Sequence, residues 1–502
     1  MNVAEFFLDR LAVEGDRRAV CEPNGAGVTF SELRLQTLGL AAHLHQRGFA
    51  PGDVAVLQVP NGAAFAASAM AVLALGGVVV LAEPGLGDAV YRDRLAAAQP
   101  KWVLVHPIVR LANRVPAGRA WLRRRELFVP PLLHGDGVQS VPVSGARLRR
   151  LSGKATTPVQ QRDASDDAMV VFTGGTTGMP KGVRLSHTAL QHYVQNVGRV
   201  VAELTMTRFL ADTPPQLLVA LYLGRTVHVT RGQTRRRAAH VLDTLRQGRA
   251  DGYFGSPYLW VTIMAALEAT GERLPPSVAA VLLGSAPVTP AFLQRLRRSL
   301  ASETRVLALY GLTEAGIVCV AHAPDKQAWE GPGDFVGFPI DGVEVSLDPP
   351  DAPDGIGEVI VRSPSLYTGY LGQPEREVNE GLRTGDVGRF VEQAGGRALV
   401  LMGRKKDMII RAAVNVYPGT IEPHLLSMTD PGGRTMLADC ALVGVWDDVR
   451  QDERIVLCYR PAHPPLDEHS LRRSTEAVTG PAAAPDHYLD VDPFPIVGRQ
   501  NK

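Results

Sequence analysis

The chain has 502 residues, a formal net charge of +2, and a composition that is 45% apolar and 21% charged. One hydrophobic core rarely supports this length, so we expect two or more domains. The near-neutral charge gives no reason to expect a nucleic-acid partner. Arginine clusters such as Arg123 to Arg125 lie beside helical periodicity, which is typical of solvated helix faces.

The cysteines and the first residues both favour a cytoplasmic location. The segment from Met1 to Arg10 carries acidic residues where a signal peptide needs positive charge. The cysteines have neither metal-ligand nor redox spacing, which fits a reducing compartment. They are Cys21, Cys319, Cys440 and Cys458.

One uncharged stretch, residues 62–82, is long enough to span a bilayer. It is rich in alanine and is broken by Gly76 and Gly77. We therefore predict a buried helix capped by Asn61, a glycine turn, and a buried strand from Val78 to Leu81. No membrane span is expected.

Strands alternate with helices along the first half of the chain, which predicts a mostly parallel sheet with helices on its faces. The pattern is weaker between residues 107 and 165, where a short helix, edge strands and loops are expected. Further on, a turn over residues 209–215 is followed by an apolar helix. Predicted strands and helices in this part are 54–59, 61–75, 78–81, 91–98, 102–105, 189–201, 217–223 and 227–229.

A glycine- and threonine-rich loop follows the apolar strand that ends at Phe172. It runs Thr173-Gly-Gly-Thr-Thr-Gly-Met-Pro-Lys181. Glycines leave backbone N–H groups uncovered, hydroxyls add donors, and a lysine supplies a point charge, so the loop is suited to phosphate oxygens. Its spacing is not that of the P-loop. A helix is expected next, with Thr188 and Gln191 at capping-box spacing.

A second motif, Tyr310-Gly-Leu-Thr-Glu314, combines three useful groups. The tyrosine ring offers a stacking face for a base, and Thr313 offers a hydroxyl to a phosphate. Glu314 supplies the hard oxygen ligand that Mg²⁺ prefers.

These motifs, in this order, resemble those of the adenylate-forming ligases, which include acyl-CoA synthetases, luciferases and peptide-synthetase adenylation domains. The likeness extends over nearly the whole chain, although Gly174 stands where the family usually has serine. The resemblance implies a large α/β domain, a small mobile α+β lid, ATP and Mg²⁺ as cofactors, and a carboxylic acid substrate. No nucleic-acid partner is implied.

The resemblance also implies roles for individual residues. The loop and Lys181 would hold phosphates, a strand-end turn would lie against adenine, and Asp386 with Arg404 would reach the ribose. Lys181, Thr313 and Glu314 would be catalytic, with Glu314 on the metal. The implied nucleotide-binding residues are Thr173, Gly174, Gly175, Thr176, Thr177, Gly178, Lys181, Gly284, Ser285, Ala286, Pro287, Tyr310, Gly311, Thr313, Asp386 and Arg404.

The carboxy-terminal part would be the lid, from residue 403 to 502, after a large domain of residues 1–402. Lys406 matches the hinge about which the family's lid rotates between two half-reactions. The family has a late catalytic lysine that bridges the carboxylate and the α-phosphate. Lys502, at the end of Gln500-Asn-Lys502, is our candidate for it, and Arg499 is the alternative.

Two departures from the family pattern concern the acceptor. Ala412 and Ala413 stand where synthetases usually have two glycines, in the loop that lines the family's thiol tunnel. A His-containing loop before the acyl pocket is also missing or shortened. A thiol acceptor, on CoA or on a carrier-protein phosphopantetheine, is expected. Internal capture that gives a β-lactone, and a nucleotide-binding paralogue without catalysis, stay open.

Overall fold

The structure, a computed structural model, describes residues 1–81, 88–114, 138–153, 157–172, 181–230, 234–349, 355–377, 380–411, 414–447 and 452–494. Two large sheets with packed helices form most of the molecule, and two small sheets form its carboxy-terminal part. The predicted mixed α/β class is confirmed. The boundary at residue 403 stays a prediction.

The helices pack mainly on the two large sheets. They are α1 (Val3–Glu14), α2 (Phe30–Gln46), α3 (Ala63–Ala74), α4 (Asp88–Ala98), α5 (Pro107–Arg114), α6 (Gly145–Leu151), α7 (His187–Ala202), α8 (Pro214–Tyr222), α9 (Thr234–Arg246), α10 (Pro257–Thr270), α11 (Pro290–Arg298), α12 (Ala323–Gln327), α13 (Pro418–Leu426) and α14 (Glu468–Ala483).

The strands of the first half are β1 (Arg18–Cys21), β2 (Gly27–Thr29), β3 (Val54–Gln58), β4 (Val78–Leu81), β5 (Trp102–Val105), β6 (Gln139–Pro142), β7 (Asp167–Phe172), β8 (Gly182–Ser186), β9 (Arg208–Ala211), β10 (Thr226–Val229), β11 (Gly252–Gly255) and β12 (Ala280–Leu283). Those of the second half are β13 (Arg305–Leu312), β14 (Gly316–His322), β15 (Asp334–Pro339), β16 (Glu344–Asp348), β17 (Gly357–Arg362), β18 (Gly369–Tyr370), β19 (Leu382–Gln393), β20 (Gly396–Arg404), β21 (Ile409–Arg411), β22 (Val414–Val416), β23 (Leu437–Asp447), β24 (Asp452–Pro461) and β25 (His487–Asp490).

The seven-stranded sheet has the order β18-β8-β7-β4-β3-β5-β6. Its central strands run parallel, as the alternating pattern predicted. Helix α3 is buried against this half of the molecule. Asn61 does not cap α3, because Gly62 takes that position and the Asn61 amide points to the Ala211 carbonyl oxygen at 3.4 Å. Among the described residues, none of the helices has the length and apolar character that crossing a bilayer requires.

The thirteen-stranded sheet has the order β16-β17-β19-β20-β15-β14-β13-β12-β11-β9-β10-β1-β2. Strands β1 and β9 to β13 pair in parallel. The strands of this sheet that follow β13 in the chain pair antiparallel. The turn predicted over residues 209–215 is wrong in its first half. Phe209 to Ala211 belong to β9, because these three apolar residues after Arg208 are enough to fill the buried part of a short strand.

The glycine-rich loop joins two antiparallel strands rather than a strand and a helix. Strands β7 and β8 pair from Asp167↔Ser186 to Phe172↔Gly182. Helix α7 begins only after β8, and its cap is Ser186, whose hydroxyl accepts the Ala189 N–H at 3.1 Å. The predicted capping pair at Thr188 and Gln191 is therefore wrong.

The small carboxy-terminal part has an apolar core of its own. Ile409, Leu425, Ile455 and Leu471 are among its buried residues. Tyr417 is an exception, because its side chain packs with the core of the large part, among Val387, Val400 and Met402.

The first residues are tied into the large part of the molecule. The Asn2 amide donates to the carbonyl oxygens of Leu73 at 2.7 Å and of Gln160 at 2.9 Å. The Val3 N–H donates to Nδ1 of His187 at 3.2 Å. Burial lowers the pKa of His187 to about 4, so this imidazole is neutral and can accept that hydrogen bond.

Candidate active site

The turn after β12 contains the residues that the family resemblance assigned to adenine. Ser285 has a φ of +67°, in the left-handed region, and its side chain and Pro287 are exposed. Gly284 is buried, and a Cβ there would lie 2.9 Å from Phe254 Cε2. The turn follows the carboxyl end of a parallel strand, which is where open α/β sheets bind ligands.

The second group of residues centres on Asp386, the predicted ribose ligand. The Tyr310 hydroxyl donates to Asp386 Oδ2 at 2.7 Å, and Arg404 Nε lies 3.2 Å from Oδ1. Asp386 and Arg404 are directly opposite each other on β19 and β20. The Asp386 N–H donates to the hydroxyl of Thr384, which in turn donates to the Val359 carbonyl oxygen. We call Tyr310, Asp386 and Arg404 the ribose end.

At the ribose end Asp386 is buried, Arg404 is exposed, and the tyrosine is a hydrogen-bond donor. Only 6% of Asp386 is exposed. Burial, and then the nearby Asp386 charge, raises the pKa of the Tyr310 hydroxyl well above its usual value, so it stays protonated near neutral pH. Sequence reasoning expected the Tyr310 ring to stack on a base but did not foresee the bond from its hydroxyl to Asp386.

The third group centres on Glu314, the predicted metal ligand. Thr313 and Glu314 lie in the turn between β13 and β14. The Tyr370 hydroxyl donates to Glu314 Oε1 at 2.9 Å, and Lys181 Nζ lies 4.8 Å from the centre of the Tyr370 ring. We call Lys181, Glu314 and Tyr370 the phosphate end. Sequence reasoning counted Tyr370 as a framework residue only.

The two ends are joined by one hairpin of the thirteen-stranded sheet. Tyr310 lies in β13 and Glu314 in the turn that follows, four residues later in sequence. The hairpin is tight at this point, because a Cβ on Gly311 would lie 2.2 Å from the Gly316 carbonyl oxygen. The hairpin therefore holds a carboxylate beside Lys181 and a tyrosine that positions a second carboxylate.

The predicted hinge lies where β20 ends. Lys405 to Asp407 form a single 3₁₀ turn, and Lys406 Nζ lies 4.0 Å from Asp407 Oδ1. Gly403 has a φ of +150°, a conformation that favours glycine.

Lys405, which the sequence analysis did not single out, holds the turn to the large part of the molecule. Its Nζ donates to the buried Glu358 carboxylate at 3.1 Å, and Arg383 contacts the same carboxylate. Although burial raises the pKa of Glu358, these two cations outweigh it and lower that pKa overall.

Several predicted site residues lie outside the described residues. These are Thr173, Gly174, Gly175, Thr176, Thr177 and Gly178 of the loop, Ala412 and Ala413, and the two tail candidates Arg499 and Lys502. Among the described members of the site, Tyr310 and Glu314 lie on one hairpin. Asp386 contacts both Tyr310 and Arg404, and the side chain of Tyr370 contacts Glu314 and Lys181. Their individual roles stay predictions.

Comparisons with known proteins identify the family of the chain. The family model of AMP-binding enzymes matches residues 7–371. An olefin β-lactone synthetase of Stenotrophomonas maltophilia is 28% identical over 94% of this chain and 88% of its own. A 2-succinylbenzoate–CoA ligase of Bacillus licheniformis is 24% identical over 98% of this chain and 95% of its own. The solved amide bond synthetase of Marinactinospora thermotolerans superimposes with a TM-score of 0.76, at 26% identity, over 99% of this chain and 98% of its own.

Proposed function

Because the chain belongs to the AMP-binding enzyme family and is an AMP-forming ligase, we propose that its two tyrosine–carboxylate pairs bind the two halves of ATP during carboxylate activation. The observation that carries this proposal is that one member of each pair, Tyr310 or Glu314, belongs to the same hairpin. Asp386 with Arg404 offers a carboxylate and a guanidinium to the ribose hydroxyls. Glu314 and Lys181 offer opposite charges to the metal and to the phosphates.

The first step is an in-line displacement at the α-phosphorus of ATP. An oxygen of the substrate carboxylate forms the new P–O bond, the bond to the β-phosphate oxygen breaks, and pyrophosphate leaves with the electron pair. The products are an acyl-adenylate and pyrophosphate. The protein's part is to position both reactants and to stabilise negative charge that develops on the phosphate oxygens. Lys181 and the amides of Thr173 to Gly178 would do so, with the hydroxyl of Thr313.

The described residues fit Mg²⁺ that arrives with ATP better than a resident metal. Among these residues, three or more metal-ligating side chains are nowhere clustered. Mg²⁺ usually takes only one or two carboxylates beside substrate phosphates, and Glu314 supplies one. Bound there, the ion would offset phosphate charge and polarise the phosphoryl oxygens.

The small carboxy-terminal part would act as a lid that starts at residue 403 and turns about Lys406. This part has an apolar core of its own, which supports its being a separate domain. The single 3₁₀ turn at Lys405 to Asp407 would be the short connection between the lid and the large domain. In one orientation Lys502 would bridge the carboxylate and the α-phosphate. Arg499 is the alternative, although a planar guanidinium is a poor substitute for a point ammonium.

The proposed acceptor in the second step is a thiol, on CoA or on a carrier protein. Its sulfur would form a bond with the acyl carbon, the bond to AMP would break, and the thiol proton would be released. A second candidate is capture by a β-hydroxyl of the substrate itself, which closes a β-lactone. Two observations support β-lactone formation as this second candidate. One is the olefin β-lactone synthetase among the relatives, and the other is the pair of alanines at 412 and 413.

A two-stage assay tests this function. Pyrophosphate release is first measured over a panel of carboxylic acids that includes pairs with and without a β-hydroxyl, with Glu314→Ala as the matched inactive control. The best substrate is then incubated without an acceptor, with CoA, or with a phosphopantetheinylated carrier protein, and the products are identified by mass. We expect thioester only when thiol is added. A lactone formed without an acceptor would instead establish the second candidate, and no pyrophosphate from any acid would refute carboxylate activation.

A further inference from the structure

Tyr370 lies where the two large sheets meet. It belongs to β18, which adds to the edge of the seven-stranded sheet by pairing with β8, with Tyr370 opposite Val183. Glu314, by contrast, lies on a hairpin of the thirteen-stranded sheet. The bond from the Tyr370 hydroxyl to Glu314 Oε1, at 2.9 Å, therefore connects residues of the two sheets.

The backbone around Tyr370 is fixed by several contacts. The Leu371 N–H donates to the Gly182 carbonyl oxygen at 2.7 Å, directly beside Lys181. The Tyr367 N–H donates to the Glu314 carbonyl oxygen at 2.8 Å, and the Tyr367 and Tyr370 rings lie 4.9 Å apart. Leu371 is thus bound to the residue after Lys181, and Tyr367 is bound to Glu314 itself. These backbone contacts hold the Tyr370 ring near both of its partners.

The two partners of Tyr370 carry opposite charges. The Lys181 ammonium contacts the ring, an interaction of the cation–π kind, and the Glu314 carboxylate contacts the hydroxyl. An aromatic ring can hold a cation without neutralising it, and a hydroxyl can orient a carboxylate and leave its other oxygen available for another ligand. A direct ion pair between the two residues would instead use both charges up.

We propose that Tyr370 is a positioning residue that orients Glu314 toward the metal ion of Mg·ATP. This inference rests on the proposed function and concerns the same site. It makes the metal-dependent part of ATP binding depend on the Tyr370 hydroxyl. The ribose end, which has its own tyrosine–carboxylate pair, serves as an internal comparison.

The test measures ATP affinity by calorimetry, with and without Mg²⁺, for the full-length wild type, Tyr370→Phe and Tyr310→Phe. The ratio of the two affinities is the readout, and it needs no catalysis. We expect Tyr370→Phe to reduce this ratio about tenfold, the size associated with a hydrogen bond to a charged group, and to leave metal-free binding unchanged. Tyr310→Phe, the matched control, should weaken both affinities by the same factor and leave the ratio intact.

The other outcomes separate this inference from the function on which it rests. A full Mg²⁺ enhancement in Tyr370→Phe, or an equal change of the ratio in both variants, would overturn the positioning role. No ATP binding by the wild type would refute the proposed function instead. Tyr370→Leu, which also removes the ring from Lys181, should weaken metal-free binding as well. Both affinities in a ratio are measured on the same folded variant. A lower folding stability of that variant therefore does not change the ratio.

Discussion

The two ends of the proposed nucleotide site both position a carboxylate, but different contacts hold that carboxylate in place. Each uses a tyrosine hydroxyl to hold a carboxylate, Tyr310 on Asp386 at one end and Tyr370 on Glu314 at the other. Asp386 lies inside a long antiparallel ladder and is also held by its own backbone neighbours and by Arg404. Glu314 lies in a turn, and a side chain from another sheet holds it.

The difference suggests how each end responds to change. Strand register fixes the ribose end, so it is already arranged before ATP arrives. The phosphate end is fixed by contacts between side chains of two sheets, which suits groups whose interactions must strengthen as charge develops. Substitutions at the ribose end should therefore change ATP binding alone, and those at the phosphate end should change Mg²⁺-dependent binding and the rate of the chemical step.

The strongest test of this contrast is Glu314→Ala. Loss of the metal-facing carboxylate removes one electrostatic stabiliser, so kcat for adenylation should fall roughly 10²- to 10³-fold. The measurement is Mg²⁺-dependent exchange of labelled pyrophosphate into ATP. Glu314→Gln keeps the shape without the charge and should be nearly as slow. Normal exchange in Glu314→Ala would contradict the assignment.

A second test of the contrast between the two ends uses Lys502, which should contribute a charge contact at the phosphate end only. Lys502→Ala should slow adenylation about 10²-fold, the size of one lost charge contact, and should leave transfer from a supplied acyl-adenylate nearly unchanged. Single-turnover measurements of each half-reaction check this, with Arg499→Ala as the matched control. If Arg499→Ala is the slow variant, the wrong residue has been chosen, and if neither is slow, the tail has no catalytic role.

The ribose end should show the opposite kinetic pattern. Asp386→Asn weakens the acceptor that faces the two ribose hydroxyls, so KM for ATP should rise about tenfold while kcat changes little. Wild type should prefer ATP to 2′-deoxy-ATP, and the variant should lose most of that preference. A fall in kcat with an unchanged KM would break the comparison, because it would give Asp386 a role in the chemical step.

The smallest effect concerns the framework that both ends share. The folded pKa of His187, about 4, is below its unfolded value near 6.5. The stability that this neutral imidazole contributes is complete above pH 6.5 and is lost as the pH falls from there toward 4. We therefore expect the Tm to fall over that window by less in His187→Asn than in wild type.

The pH dependence at His187 should change the stability of the whole fold and not the nucleotide preference of either end. The matched measurement is the ratio of ATP to 2′-deoxy-ATP affinity, which should stay constant while the protein is folded. A Tm that depends on pH equally in wild type and in His187→Asn would show that other groups, such as His228 with its pKa also lowered by burial to about 4, account for the effect.

Local patterns let the sequence predict the fold class and the closeness of Tyr310 to Glu314. Tyr310 and Glu314 come from one pentapeptide, and strands alternating with helices are a strong local pattern. The role of Tyr370 could not be predicted, because its partner Glu314 is 56 residues away and the contact depends on how two sheets meet. A two-residue strand carries no periodicity of its own.

Local competition explains the remaining errors. Strand β8 is too short to distinguish from the start of a helix, so no local pattern indicated that Lys181 comes directly before a strand of a hairpin. Ser186 and Thr188 are both plausible caps, and the end of the strand ladder decides between them. Asn61 has a good capping side chain, yet it contacts Ala211, which lies in the other sheet.

The pairing of β1 with β10 has a consequence for how the protein is made. Val20 is paired with Val227, so the first strand reaches a ribosome exit long before its partner exists. At roughly 5–20 residues per second, the wait is about 10–40 s. During that time Phe7 of α1 lacks the Tyr222 ring that it contacts in the folded protein. Variants that weaken this region should therefore lower the yield of soluble protein in cells more than the specific activity of the molecules that survive.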